Sequence, residues 1–234
     1  MSSPGCLFSE DCIYCKEKRY KGTPVSDDHG DILRLVNSRL PLPQVYAGVR
    51  QILKRRMPAD NMFISLTEGD GLRFPYYIDE FEPEDTLDIF PKEGWTGYVI
   101  DLQSRYWSSK DPAPPPGISP VGHRSQDWLG VPLVDRDGSA IGVLAVQTYE
   151  SGGCYTEEDE RFIQFTASAL SVAIQLARQD ADIAVRRIAA LVDDIVDLDE
   201  LYPRIHQILQ TVIPAAQKNI VFARVDTEIG RAHV

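Results

Sequence analysis

No stretch of eighteen apolar residues occurs anywhere in the 234-residue chain, so no α-helical membrane span is expected. The opening residues, MSSPGCLFSEDC, lack the basic and long apolar regions of a secretory signal, which makes the cytoplasm the expected compartment. Cysteine is scarce and clustered. Three of the four cysteines (Cys6, Cys12 and Cys15) lie in the first fifteen residues, which argues against a disulfide framework spread over the fold. Bases number 24 against 35 acids, a formal charge of −11, and they form no stripe. A nucleic-acid backbone would be repelled, so neither DNA nor RNA is an expected partner. Catalytic signatures are missing too: there is no G-x-S-x-G, H-E-x-x-H or phosphate-cradling glycine loop. None of the four histidines (His29, His123, His206, His233) belongs to a recognisable nucleophile–base pair, so a non-catalytic protein is expected.

What the chain does have is a core and a repeat. Hydrophobic residues make up 43%, and the length suits one full domain plus part of another. The eighteen residues from Leu42 to Ala59 match those from Leu198 to Ala215 without a gap, at an offset of 156, with seven identities. Both stretches space their apolar residues as an amphipathic helix does, for example Val45, Val49, Ile52 and Leu53. Each is followed by an alternating run that reads as a strand, from Asn61 and from Asn219. A period this long fits tandem domains and not a solenoid.

Within the first copy, the pattern predicts a short helix over Asp31–Arg39 and a second over Pro43–Arg56, ending before Pro58. Strands are expected over Asn61–Thr67 and Leu72–Ile78, joined by a turn containing Gly69 and Gly71. A short helix opens at Gly94, and a brief strand follows over Gln103–Trp107. Ser108–Arg124, with five prolines, must be a loop. Strands over Asp127–Val134 and Ser139–Gln147 form a hairpin around Asp135–Gly138. Thr156 and Asp159 fit a capping box at the start of a helix that continues to about Val196 without proline or glycine. An α+β domain follows: an antiparallel sheet flanked by helices and then a long linker helix.

The hairpin Trp128–Leu133 and Ile141–Gln147, followed by Tyr155–Asp159, resembles the closing half of GAF domains. The segments Phe74–Glu80 and Gly94–Ile100 resemble GAF domains placed before bacterial histidine kinases and diguanylate cyclases. The likeness covers about Leu42 to Arg178 and restarts at Leu198. It implies a GAF/PAS-like sheet of about six strands, with helices that often mediate dimerisation on one face and a loop-roofed pocket on the other. It also implies a sensory or regulatory module of a bacterial signalling protein, whose output domain would follow this chain. The domain layout expected is a Cys-containing leader (1–30), a GAF domain (31–178), a linker helix (179–197) and a truncated second GAF domain (198–227). The last seven residues, 228–234, resemble the translation of a sequencing adapter and are left out of the fold reading.

A pocket of that kind would draw its lining from one face of the sheet and the helix above it. The candidates are Phe63, Phe74, Tyr76, Trp95, Tyr98, Trp107, Trp128 and Gln147, an apolar wall with few polar tips that suits a small organic ligand better than a phosphate. The same aromatics serve equally as core. No residue specifies the ligand, and no cofactor is indicated. Some GAF-like proteins reduce free methionine sulfoxide with cysteines near the pocket; here Cys154 alone belongs to the domain. The Cys–His pair of bilin-binding relatives is missing. So is the Asn-Lys-x-Asp pattern of cyclic-nucleotide binders. Cys6, Cys12 and Cys15, with His29 further on, supply soft ligands for zinc or an iron–sulfur cluster, but a single C-x2-C pair suits a flexible leader or a redox thiol pair as well.

In the long helix, Phe162, Phe165, Ala169, Val172 and Leu176 are expected to pack on the domain. Ile183, Ile188, Leu191 and Ile195 are expected to seek a partner helix, giving a homodimer. The leading reading is a sensor that binds a small ligand. The alternatives are a dimerisation module without a ligand, and a redox or metal sensor using the cysteines.

Overall fold

The computed structural model describes residues 27–81, 89–151, 155–194 and 197–212. Cys6, Cys12, Cys15, Cys154, the expected strand from Asn219 and the adapter-like tail lie outside the described residues. The chain divides into two compact units, residues 1–175 and 176–234.

In the first unit, α1 (Asp28–Val36) and α2 (Leu42–Leu53) precede a hairpin of β1 (Asn61–Glu68) and β2 (Gly71–Ile78). The two-residue β3 (Phe90–Pro91), α3 (Gly94–Leu102) and the two-residue β4 (Tyr106–Trp107) follow. A second hairpin, β5 (Asp127–Val134) and β6 (Ala140–Thr148), leads into α4 (Glu157–Asp194), whose residues after Gln175 belong to the second unit. The strands form one antiparallel sheet in the order β3-β2-β1-β6-β5-β4. This is the six-stranded α+β architecture expected from the sequence. The sixth strand, β3, is too short to leave a periodic signal.

Both tight hairpins follow from turn chemistry. Gly69, at φ +57°, is the first residue of the loop joining β1 to β2, where a right-twisted hairpin demands a left-handed φ. Between β5 and β6, Asp135 accepts from the backbone N–H groups of Asp137 (3.0 Å) and Ser139 (2.9 Å). The first helix starts three residues earlier than expected because Asp27 is a side-chain cap, accepting from the Gly30 N–H at 3.0 Å.

One face of the sheet carries the main core. Met62 and Ile64 of β1, Leu129 and Val131 of β5, and Leu144 and Val146 of β6 pack against Ile32, Tyr46, Val49, Leu53 and, from α4, Phe162, Ile163 and Leu170. The expected packing stripe of α4 is corrected here: Val172 and Leu176 are exposed, while Ile163, Ala167, Leu170 and Ile174 are buried. Phe162 is buried and Phe165 and Ala169 pack partly buried against the core, as expected; the 163/167/170/174 row completes the contact with the sheet, and Val172 and Leu176 lie outside it.

Thr156 and Asp159 make the expected capping box. The Asp159 N–H donates to Thr156 Oγ1 (3.2 Å), and the Thr156 N–H donates to Asp159 Oδ2 (2.8 Å). Burial raises the pKa of Asp159, with its bonds to Thr156 opposing. The native state therefore binds this proton more tightly than the unfolded chain, whose value is near 3.8. Stability from this group is full below that pH and is lost as pH rises through the folded value. Urea unfolding from pH 3.5 to 7 is expected to show wild type losing stability relative to Asp159→Asn as pH rises. A difference moving the other way would mean the carboxylate is held by its hydrogen bonds more than it is penalised by burial.

In the second unit, the remainder of α4 and α5 (Leu198–Val212) are the described elements, so the second copy of the repeat is also helical over its matching residues. Ile183, Val185 and Val192 are exposed, and Ala184 and Leu201 are buried. Among the described residues, no helix is long and apolar enough to cross a membrane.

Candidate functional site

The second face of the sheet, α3 and the loop over residues 108–126 enclose a cavity of about 400 Å³. Its wall includes Phe63 of β1, Leu72, Phe74 and Tyr77 of β2, Trp95 of α3, and Trp128 and Gln147 of β5 and β6. The loop contributes Pro120, Val121, His123 and Ser125 as a roof. Trp128 is the hub: its ring centroid lies 6.4 Å from that of Phe63, 5.6 Å from Trp95 and 6.0 Å from Tyr106. Gly130, two residues along the same face, makes room for it. A Cβ there would sit 2.1 Å from the indole Cη2.

Five of the eight candidates, Phe63, Phe74, Trp95, Trp128 and Gln147, meet in this wall. Tyr76 does not. Between Ile64 and Leu66 of β1, the facing strand advances three residues, from Tyr76 to Arg73, so β2 carries a bulge around Phe74 and Pro75. The bulge reverses the alternation. Tyr77, paired with Phe63, turns to the cavity, and Tyr76 turns to Tyr46 on the helical face. Pro75, a residue with no N–H to give to the ladder, was the available signal. Trp107 is also on the other face: it pairs with Leu129, and its neighbour Tyr106, paired with Gly130, takes the cavity side. Tyr98 packs edge-on against Tyr106 at 5.5 Å behind the wall, outside the lining. Burial raises the pKa of the Tyr106 hydroxyl, with Asp111 and Tyr98 adding to the effect.

Of the cavity's polar end, sequence reading named Gln147 alone. Asp79, just past β2, accepts from the Phe81 N–H (2.9 Å), the Tyr149 hydroxyl (2.9 Å) and Gln147 Nε2 (2.5 Å). His123 of the roof stacks on Phe81 at 4.2 Å and meets Tyr149 edge-on at 5.3 Å. These residues sit at strand ends and in loops, where no periodicity points to them.

Two further arrangements tie β5 to α4. Asp127, 1% exposed, accepts from Trp107 Nε1 (3.0 Å), Ser108 Oγ (3.1 Å), its neighbour Trp128 N–H (2.9 Å) and the Tyr155 N–H (3.2 Å). At the other end of the strand, the Val134 N–H donates to Ser171 Oγ (3.0 Å), and Gln175 Nε2 donates to the Val134 carbonyl (3.1 Å). The strand that carries Trp128 into the cavity is thus bonded at one end to the lead-in of α4 and at the other to α4 itself. Among the described residues, no group of three or more His, Cys, Asp or Glu is placed to hold a metal ion.

A family model described as GAF domain matches residues 40–175. No curated protein matches the chain significantly. Among solved structures, the GAF domain of an Acinetobacter phosphoenolpyruvate-protein phosphotransferase is 21% identical, with a TM-score of 0.54, over 65% of this chain and 93% of that one. A methyl-accepting chemotaxis protein, residues 122 to 287, is 18% identical with a TM-score of 0.51, over 61% of this chain and 94% of that one. The free methionine-R-sulfoxide reductase of Neisseria meningitidis, solved with its substrate, is 17% identical with a TM-score of 0.51, over 64% and 88%. At these identities the likeness is one of fold, and the fold is shared by signalling modules and by an enzyme.

Proposed function

The chain belongs to the GAF domain family, which generally supplies sensory or regulatory modules, and from that premise we propose that it senses a small organic ligand in the cavity roofed by residues 108–126. The ligand's presence would be passed through β5 to α4, and along the helical linker to a signalling output domain. The observation that carries this reading is the double attachment of β5. Trp128 faces the cavity, while Asp127 and Val134 at the strand's two ends are bonded to Tyr155 and to Ser171 and Gln175. A ligand that repositions Trp128 acts on both attachments, and it shifts α4 only by its differential affinity for the two states.

The exposed Ile183, Val185 and Val192 support a homodimer through the helices, and the chain would then act as one arm of a paired sensor. A redox or metal role for Cys6, Cys12 and Cys15, or for Cys154, is the secondary reading; replacing all four with serine would leave a ligand response intact if the cavity is the sensor.

A thermal-shift screen of small metabolites tests the cavity. Thr96 lies in its wall, so Thr96→Phe fills the space. A true ligand raises the melting point of wild type progressively, with the logarithm of its concentration once above Kd, and leaves Thr96→Phe unmoved. Compounds that shift both proteins equally, or none that shifts wild type, would leave the family's dimerisation role as the better account.

A further inference from the structure

We propose that the cavity's ligand is an organic cation, an alkyl- or aryl-substituted ammonium; this rests on the cavity being the ligand site. Three observations converge. First, the wall is lined by the aromatic rings of Phe63, Phe74, Tyr77, Trp95 and Trp128. Ring faces carry partial negative charge and attract a desolvated cation, Trp most strongly.

Second, the only carboxylate or fixed cation in the described wall is Glu93, and no Lys or Arg contributes to it. The nearest bases by position are accounted for: Lys92 is ion-paired with Asp101 at 2.7 Å, and Arg124 is exposed on the roof loop, outside the wall. An anion entering here would give up its hydration and meet no countercharge.

Third, Gln147 is held with its oxygen free at the polar end. The Tyr149 proton and the Gln147 amide nitrogen both point to Asp79, a carboxylate that can only accept. The Gln147 nitrogen also donates to the Tyr149 oxygen at 2.9 Å, which fixes the amide's orientation. Gln147 Oε1 accepts from no described residue, so Gln147 presents an acceptor to a ligand while its amide nitrogen is held by the Asp79 carboxylate.

One feature works the other way. The first turn of α3 borders the cavity through Gly94–Thr96, and a helix N-terminus favours negative charge. Glu93, the residue capping that helix, already supplies it, and its side chain makes no capping hydrogen bond, which leaves its carboxylate available to a cation.

Isothermal titration of the full chain with three probes of like size separates the possibilities: benzyltrimethylammonium, benzyl alcohol and phenylacetate. The cation is expected to bind with one-to-one stoichiometry, at least tenfold tighter than either other probe. Glu93→Gln, an exposed change with no fold cost, is expected to weaken it at least threefold and to leave benzyl alcohol within twofold. Trp95→Leu is expected to weaken the cation at least fivefold. Phenylacetate or benzyl alcohol binding as tightly as the cation, and lost in Thr96→Phe, would overturn the charge assignment while keeping the cavity as the ligand site. No saturable binding of any probe at 10 mM would overturn the cation assignment and count against the cavity itself.

Discussion

Asp127→Ala is expected to lower the stability of the first unit by about 3–6 kcal/mol, because it strips a common acceptor from three buried or half-buried donors beyond its own strand, each worth about 1–2 kcal/mol when left unmet. No Lys or Arg pairs with this carboxylate among the described residues; its partners are hydrogen-bond donors, which is how a buried charge is tolerated without a counter-ion. The loss approaches the whole stability of an ordinary domain, so the variant is expected to be partly unfolded at 37 °C. Asp127→Asn keeps the shape but only one acceptor oxygen. Its NH2 group must face either Trp107 Nε1 and the Tyr155 N–H, which both donate, or Ser108 Oγ and the Trp128 N–H, of which only the hydroxyl can turn to accept. It is expected to cost about half as much. Urea denaturation measures both, and the Trp107 indole N–H resonance reports the site itself. A loss under about 1 kcal/mol for the alanine variant would mean water replaces the carboxylate without penalty.

Trp128→Ala is the second large effect, at about 3–5 kcal/mol for deleting a buried tryptophan. Its indole touches residues from β1, α3 and β4, so its loss enlarges the cavity and removes the contact that holds α3 to the sheet. The near-ultraviolet circular dichroism is expected to collapse in the Trp region while the far-ultraviolet signal is kept. Trp128→Phe retains part of the wall and should lose less than half as much. A loss below about 1.5 kcal/mol for the alanine variant would mean that the site closes over the gap. Because Asp127 and Trp128 are adjacent and share partners, their effects are not expected to add.

Which parts of this molecule are legible in its sequence follows from how each is specified. The hairpins, the capping box and the long helix are written locally, in alternation, in Asp-Gly and Gly-Asp turns and in the Thr156–Asp159 spacing, and all are found where those signals stand. The cavity wall is written in parity, which survives only while register is regular. Phe63, Phe74 and Trp128 could be assigned a face by alternation, but the bulge at Phe74–Pro75 exchanged Tyr76 for Tyr77. A two-residue strand such as β4 has no alternation to read, so Tyr106 and Trp107 were interchangeable until Gly130 and Leu129 fixed their partners. Asp79, His123 and Tyr149 are joined only by tertiary contact. The role of Asp127 was hidden for a similar reason: an acid opening a strand reads as a solvated edge, and the donors that bury it come from β4 and from the turn before α4.

Occupancy of the cavity that reaches α4 through β5 is read by hydrogen–deuterium exchange along α4. With benzyltrimethylammonium, or any compound that shifts wild type but not Thr96→Phe, bound at saturation, exchange is expected to change in peptides covering residues 166–194 as well as in β5. In the double variant Ser171→Ala, Gln175→Ala, which cuts the bonds to Val134, binding is expected to persist while the α4 change is lost. Exchange that alters only in the strands and loop around the cavity, with α4 unchanged in wild type, would contradict the account and leave a binding module that signals by another route.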